Sequence, residues 1–180
     1  MEFMVCMEGR RSVRRFTEEN VSREQIEKIV AAAQLAPSWK NSQTARFTVI
    51  TDPEIKNEIA ENGVLGYEKN SGIIASAAVL VVLSTVGGIS GYETDGSFTT
   101  EKGTHWQSFD AGSAAFAFCL AAREEGLGTC IMGLFDEPMI SGIISLPEEQ
   151  SISALIALGY PAIAPSMPKR KDISEILTII

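Results

Sequence analysis

Arg10-Arg11-Ser12-Val13-Arg14-Arg15-Phe16 puts four arginines and a serine into six residues of a chain whose formal net charge is −8. Arginine presents a planar, permanently charged fork that recognises phosphate or carboxylate through paired hydrogen bonds. An extended backbone sends Arg10, Ser12 and Arg14 to one side and Arg11 and Arg15 to the other. One face would then offer two guanidinium groups and a hydroxyl to a single anion. The plainer reading is a solvated basic turn. A second stretch, Ala36-Pro37-Ser38-Trp39-Lys40-Asn41-Ser42-Gln43, weighs against that reading. Directly after a predicted helix it gathers two side-chain amides, two hydroxyls, a lysine and a tryptophan.

The rest of the composition says that such a cationic site serves a local ligand. At 180 residues the chain suits a single domain over residues 1–180 with a substantial core. Hydrophobic residues make up 45% and the mean hydropathy is +0.10, high enough to suggest an apolar surface buried between subunits. The acidic balance argues against nucleic acid as a partner. Cys6, Cys119 and Cys130 form no C-x-x-C pair, so neither a disulfide nor a metal site is expected, and a reducing cytoplasm fits best. Met1–Met7 is too short and too acidic at its flanks for a signal peptide. The longest apolar run, 73–83, is too short to span a bilayer, so no membrane association is expected.

Taken in order, residues 2–9 read as a short helix leading into the arginines. Ser22 and Gln25 have capping-box spacing. Ile26, Ile29, Val30 and Ala33 follow at helical spacing, and Pro37 ends that helix near Leu35. Residues 46–51 alternate as a strand, and Asp52-Pro53 opens a helix carrying Ile55 and Ile59. Residues 77–83 read as a buried strand. Residues 86–104 are rich in glycine and threonine and have no period, which suggests a mobile lid over a site. Residues 108–125 are helical and apolar nearly all round, as for a helix buried on every side at a dimer interface. Strands follow at 129–132 and 153–158, with a helix between them capped by Asp136. Ala162 to Lys171, carrying Pro165 and Pro168 behind Pro161, reads as an extended arm, and 173–177 as a short terminal helix. Helices and strands mix without strict βαβ alternation, which predicts an α+β fold with helices packed on one sheet.

Several common chemistries are missing. There is no Walker A sequence, no G-x-G-x-x-G and no G-x-S-x-G. His105 is the sole histidine, so a hydrolase triad would have to be built on it, and sites with several histidine ligands are excluded. At the end of the glycine-rich segment it reads as a surface or substrate-side residue. Glu148 and Glu149 read as a solvated pair. Met132, just before Gly133, could touch a flat ring, because glycine permits close backbone approach.

These stretches resemble the nitroreductase family of FMN-dependent oxidoreductases. The resemblance rests on Arg10, Ser12 and Arg14, then on Ala36, Pro37, Ser38, Asn41 and Gln43. Gly126 to Thr129 before Gly133 is a third part, and Lys169 and Arg170 in the tail a fourth. The order and spacing hold over nearly the whole chain. One departure stands at Thr44-Ala45, where the family often has Pro-Trp; Trp39 offers an aromatic surface earlier in the loop.

The resemblance implies a mostly antiparallel central sheet flanked by helices, in an intertwined homodimer that exchanges its C-terminal arm. It implies bound FMN, with Arg10, Arg11, Ser12, Lys169 and Arg170 at the phosphate and Arg14 at the pyrimidine edge. Pro37, Ser38, Trp39, Asn41 and Gln43 would reach the flavin from the partner subunit. Met132, Gly133 and Leu134 would line the ring. Apart from the resemblance, the glycine-rich segment read as a lid is expected to bring Tyr92, Phe98 or His105 toward substrate. No side chain is implied as a catalytic acid or base, since the flavin carries the redox step. NAD(P)H would be the reductant and nitroaromatics, quinones or related small molecules the acceptors, in ping-pong order. A dimeric FMN carrier or sensor with little turnover is the competing reading. A third reading makes the arginines a site for another phosphorylated ligand.

Overall fold

The computed structural model describes residues 2–180. Four strands, β1 (Ala45–Ile50), β2 (Val79–Val86), β3 (Gly128–Met132) and β4 (Gln150–Gly159), form one sheet in the order β1-β2-β4-β3. Every neighbouring pair is antiparallel. Six helices surround it: α1 (Phe3–Gly9), α2 (Arg23–Ala33), α3 (Pro53–Asn62), α4 (Glu68–Ser76), α5 (His105–Glu124) and α6 (Glu137–Ile144).

The alternation of side chains along β2 divides the core into two. Leu80 and Val82 face a cluster built with Ile59, Ile73, Ile74 and Ile140 from α3, α4 and α6. Val79, Val81 and Leu83 face the other side, toward Ile29 of α2 and Ala111, Ala115 and Phe118 of α5. β2 is buried on both faces, which is why its sequence reads as a continuous apolar run. The fold is therefore α+β, with helices on both faces of an antiparallel sheet.

The start signals read from sequence are formed. Ser22 and Gln25 make the reciprocal capping box of α2. Asp52 caps α3, with Pro53 in the first turn, and Asp136 accepts from Met139 N at the start of α6. Three expectations are corrected. Helix α4 was not anticipated: its N-cap, Tyr67, makes no side-chain cap bond, and Gly72 lies inside it, so the local signals are poor. Tertiary contacts hold it instead, through buried Ile73 and Ile74 and through Lys56 Nζ, which donates to Ala77 O. Strands β2 and β4 run on into polar residues because those residues find partners across the pair: Ser84 Oγ donates to Gln150 Oε1 at 2.7 Å.

The third correction concerns residues 87–104. They lack a period but not structure. Glu93 N bonds to Ser97 O at 2.8 Å and Thr99 N to Gly91 O at 3.0 Å, while Tyr92 packs on Phe98 with ring centroids 4.9 Å apart. Gly91 has φ +85°, and a Cβ there would lie 2.5 Å from Gly103 O, so the loop closes on itself only with glycine at that position. At the other end of the chain, residues 162–180 are exposed apart from half-buried Pro165, and the expected terminal helix is only the 3-10 turn Ile173–Glu175.

Candidate functional site

The arginine stretch is extended and joined to the sheet edge. Ser12 pairs with Thr129 in a parallel bridge, and Val13 N donates to Thr129 O at 2.8 Å. Val13 and Phe16 are buried, and this anchoring is what distinguishes the segment from a free basic turn. Gly128 makes it possible, since a Cβ there would lie 2.5 Å from Val13 Cγ2. Beyond Arg15 the chain turns against the tail, with Thr17 N bonded to Tyr160 O and Ala162 N to Arg15 O.

Because the bridge is parallel, the segment has a polarity along β3. Arg10 and Arg11 lie beside the α5–β3 turn. Past Val13 the segment crosses from the start of β3 toward the end of β4, where Phe16 bridges Pro161, and it carries Arg14 toward α4. The cavities follow the same division. Arg10 and Arg11 line a small pocket of about 110 Å³ with Gly9, Arg123, Gly128 and Pro165. Arg14 and Arg15 line an open groove of about 720 Å³ with Glu68, Lys69 and Ile163. Arg10 also borders a cleft of about 630 Å³ along α5 and β4, with Ser151, Ser153 and Phe116.

Past β3, Gly133 and Leu134 are exposed, whereas the Met132 side chain is in the core at 4% exposure. A ring lying there would meet the backbone at Met132 and not its thioether. Asn70 of α4, which the sequence reading passed over, is buried and donates to Leu134 O at 3.1 Å. It fixes the loop that follows β3.

The second stretch forms a tight loop around a 3-10 turn, Trp39–Asn41. Lys40, Asn41 and Gln43 all hold left-handed backbone, with φ of 46°, 57° and 50°. Three such non-glycine residues in four positions store strain that the surroundings must offset. Asp110 of α5 does much of this. It is 3% exposed and accepts from Trp39 N at 3.0 and 3.1 Å, from Ser42 Oγ at 3.3 Å and from Ser90 Oγ at 2.7 Å. Ser38 Oγ accepts from Gln43 N at 2.9 Å and closes the loop. Pro37, Asn41 and Gln43 are exposed, with Ser38 and Trp39 half-buried.

Asp110 therefore ties this loop to the base of segment 87–104. Lys40 adds a salt bridge to Glu93 at 3.4 Å, and Trp39 packs against Trp106 at 4.5 Å. Of the three substrate-side candidates, Tyr92 and Phe98 pack on each other, and His105 is the exposed first residue of α5. Within the chain the loop at 38–43 and the Arg10 pocket line separate cavities. Lys169 and Arg170 are exposed on the arm.

Arg123 and Asp110 were missed because the sequence reading treated α5 as an apolar helix. The signal was charge flanking an alanine-rich run, Asp110 at one end and Arg123 with Glu124 at the other. Cys6, Cys119 and Cys130 are free thiols, and burial raises the pKa of Cys119 and Cys130. Among the described residues, no cluster of His, Cys, Asp or Glu could hold a metal ion, and no helix is long and apolar enough to cross a membrane.

Fold and site together define an α+β protein with an arginine segment fastened to the edge of an antiparallel sheet. The chain belongs to the nitroreductase family, whose description, Nitroreductase family, matches residues 7–160. It is 30% identical to an Archaeoglobus fulgidus protein with the provisional name NADH dehydrogenase/NAD(P)H nitroreductase, over 84% of this chain and 81% of that one. It is 26% identical to mouse (Mus musculus) iodotyrosine deiodinase 1, over 99% of this chain and 70% of that one. A nitroreductase of Exiguobacterium sibiricum, also provisionally named and solved in complex with FMN, has the same fold. Its TM-score is 0.86 at 20% identity, covering 100% of this chain and 98% of that one.

Proposed function

We propose that the chain is an FMN-dependent oxidoreductase of the cytoplasm, acting as a single flavin-binding domain over residues 1–180. The observation that carries this reading is the anchored arginine segment, which sets a cationic pocket beside the start of β3, the strand that ends at exposed Gly133. The donors fit the group: Arg10, Arg11 and Arg123 line one small pocket of about 110 Å³, and their guanidinium forks suit a phosphate. FMN, when bound, supplies the redox chemistry, taking hydride from NAD(P)H and passing it to a small acceptor such as a nitroaromatic or quinone in two half-reactions.

The chain's own residues bind and orient. Arg10, Arg11 and Ser12 hold the phosphate end, and Lys169 and Arg170 join them when the arm is docked. Arg14 sits toward the ring end, where a fixed cation favours negative charge on the ring's polar edge. The backbone of Met132, Gly133 and Leu134 lines the ring. Pro37, Ser38, Trp39, Asn41 and Gln43 come from the partner subunit, and Tyr92, Phe98 and His105 border the acceptor. Support for FMN comes from family membership and from the solved relative that holds it.

Protein purified without added flavin and titrated with FMN is expected to show a flavin spectrum that NADH or NADPH bleaches. Arg10→Ala should weaken FMN by about 1.5–3 kcal/mol, the worth of a charge-assisted bond. Absence of FMN binding at micromolar concentration would refute the reading. A spectrum that NAD(P)H leaves unbleached would favour a flavin carrier.

The homodimer belongs to the same proposal. Phe109 and Phe116 of α5 are exposed, as are Ile163, Met167, Ile173, Ile176 and Leu177 of the arm. Such a run of apolar surface calls for a cover, and a second copy offers the arm a docking face and α5 a partner. Sedimentation at low concentration should show a dimer. A chain lacking residues 162–180 should lose the dimer; a truncated chain that stays dimeric and keeps FMN would remove the arm from the interface.

A further inference from the structure

The geometry points to Arg123 as a third phosphate ligand, built into the pocket of Arg10 and Arg11 from the last turn of α5. This rests on the flavin reading for the identity of the ligand, whereas the pocket's affinity for phosphate does not. Three observations converge. Arg123 lines the same cavity of about 110 Å³ as Arg10 and Arg11. Its Nε is buried and has no hydrogen-bond partner among the described residues. A buried donor left unpaired is costly, and native structures leave few of them. The guanidinium lies hard against Gly9, where a Cβ would come within 3.0 Å of both Nε and Nη2. A glycine at that point lets the planar fork lie alongside the chain that leads into Arg10.

The direction of the arginine segment places this pocket at the correct end of the proposed ligand. Ser12 pairs in parallel with Thr129, so Arg10 and Arg11 lie at the α5–β3 turn, and Arg14 lies in the separate groove along α4. A flavin mononucleotide laid along the segment would put its phosphate among Arg10, Arg11 and Arg123 and its ring at Arg14. Lys169 and Arg170 are exposed on the arm, whereas Arg123 is held by the helix and needs no docking step. The chemical class is a phosphate monoester dianion, and the three planar forks offer it donors from more than one direction.

The test compares FMN with riboflavin, which has the ring and lacks the phosphate, on the full chain and on Arg123→Met. FMN affinity is expected to fall about tenfold or more, with riboflavin affinity unchanged. Arg123→Lys should recover part of the loss, since a lysine keeps the charge but not the fork. Equal losses for FMN and riboflavin, or an unchanged affinity for FMN, would overturn the assignment. Should Arg123→Met fail to fold, Gly9→Ala displaces the guanidinium without removing it and should give a smaller loss for FMN alone. A chain that binds no flavin would end the flavin reading and leave the pocket to inorganic phosphate. Phosphate should then raise the melting temperature of the parent chain and not of Arg123→Met. Absence of that difference would overturn the pocket.

Discussion

Phe118→Asp is expected to abolish folding, and Phe118→Ala to destabilise the protein by about 3–5 kcal/mol. Phe118 has no exposed surface and stacks on Phe47 of β1 with ring centroids 5.5 Å apart and planes 18° from parallel. It sits where α5 crosses the sheet, in the cluster of Ile29, Val81, Leu83 and Ile156. Truncation leaves a cavity that rigid neighbours on three elements cannot fill, so both the transfer and the cavity contributions are lost. A charge there would be buried without a partner, at a cost comparable with the whole stability of a domain. Urea unfolding read by far-UV circular dichroism measures the alanine variant, and a midpoint within error of the parent would mean that the packing is wrong. Phe116, two residues earlier, is 45% exposed and separates the alternatives. Phe116→Asp should leave the protomer core intact and act only where a second copy packs, so its expected result is loss of the dimer and not of the fold.

The contrast between these two phenylalanines shows how much of the fold the sequence carries. Hydrophobic periodicity and caps were enough to find five of the six helices, because Ser22, Asp52 and Asp136 are local signals read within a few residues. Helix α4 escaped because its stability is tertiary: Ile73, Ile74 and the Lys56–Ala77 bond come from partners that are distant in sequence or silent about the helix start. The apolar character of α5 was legible, but not which of its residues face the sheet. That is decided by the crossing of α5 over β1 and β2, and it buries Phe118 while leaving Phe109 and Phe116 outside. The arginine segment was legible as an anion site in an acidic chain, and its extended form left the direction of the ligand open. The parallel bridge to Thr129, which sets that direction, depends on pairing between segments more than a hundred residues apart. Asp110 and Arg123 stayed hidden for a related reason: each stands at an end of an apolar run, and its role appears only when segments from elsewhere are brought against it.

Asp110→Ala is the second large effect, expected to destabilise the protein by about 3 kcal/mol or more and to release the loop at 38–43. The carboxylate accepts from a backbone N–H and two hydroxyls, and all of these lose their partner at once on truncation. Each donor left buried and unpaired costs about 1–3 kcal/mol, with water entry relieving part of the sum. The loop then loses what offsets its strain, since each left-handed non-glycine residue at Lys40, Asn41 and Gln43 costs about 1–2 kcal/mol. Relaxation of those three residues would move Asn41 and Gln43 away from the flavin they are proposed to contact, so FMN affinity should fall together with stability. Asp110→Asn should be milder. Its carbonyl can still accept from Trp39 N, and its amide can donate to hydroxyls that turn round to accept, leaving mainly the loss of the ionic contribution, about 1–1.5 kcal/mol. Hydrogen exchange at the amides of Trp39 and Gln43 distinguishes this local release from general destabilisation. The alanine variant should lose protection there under conditions where β2 stays fully protected. Unchanged protection at Trp39, with a parental urea midpoint, would show that the loop holds its strained shape without Asp110.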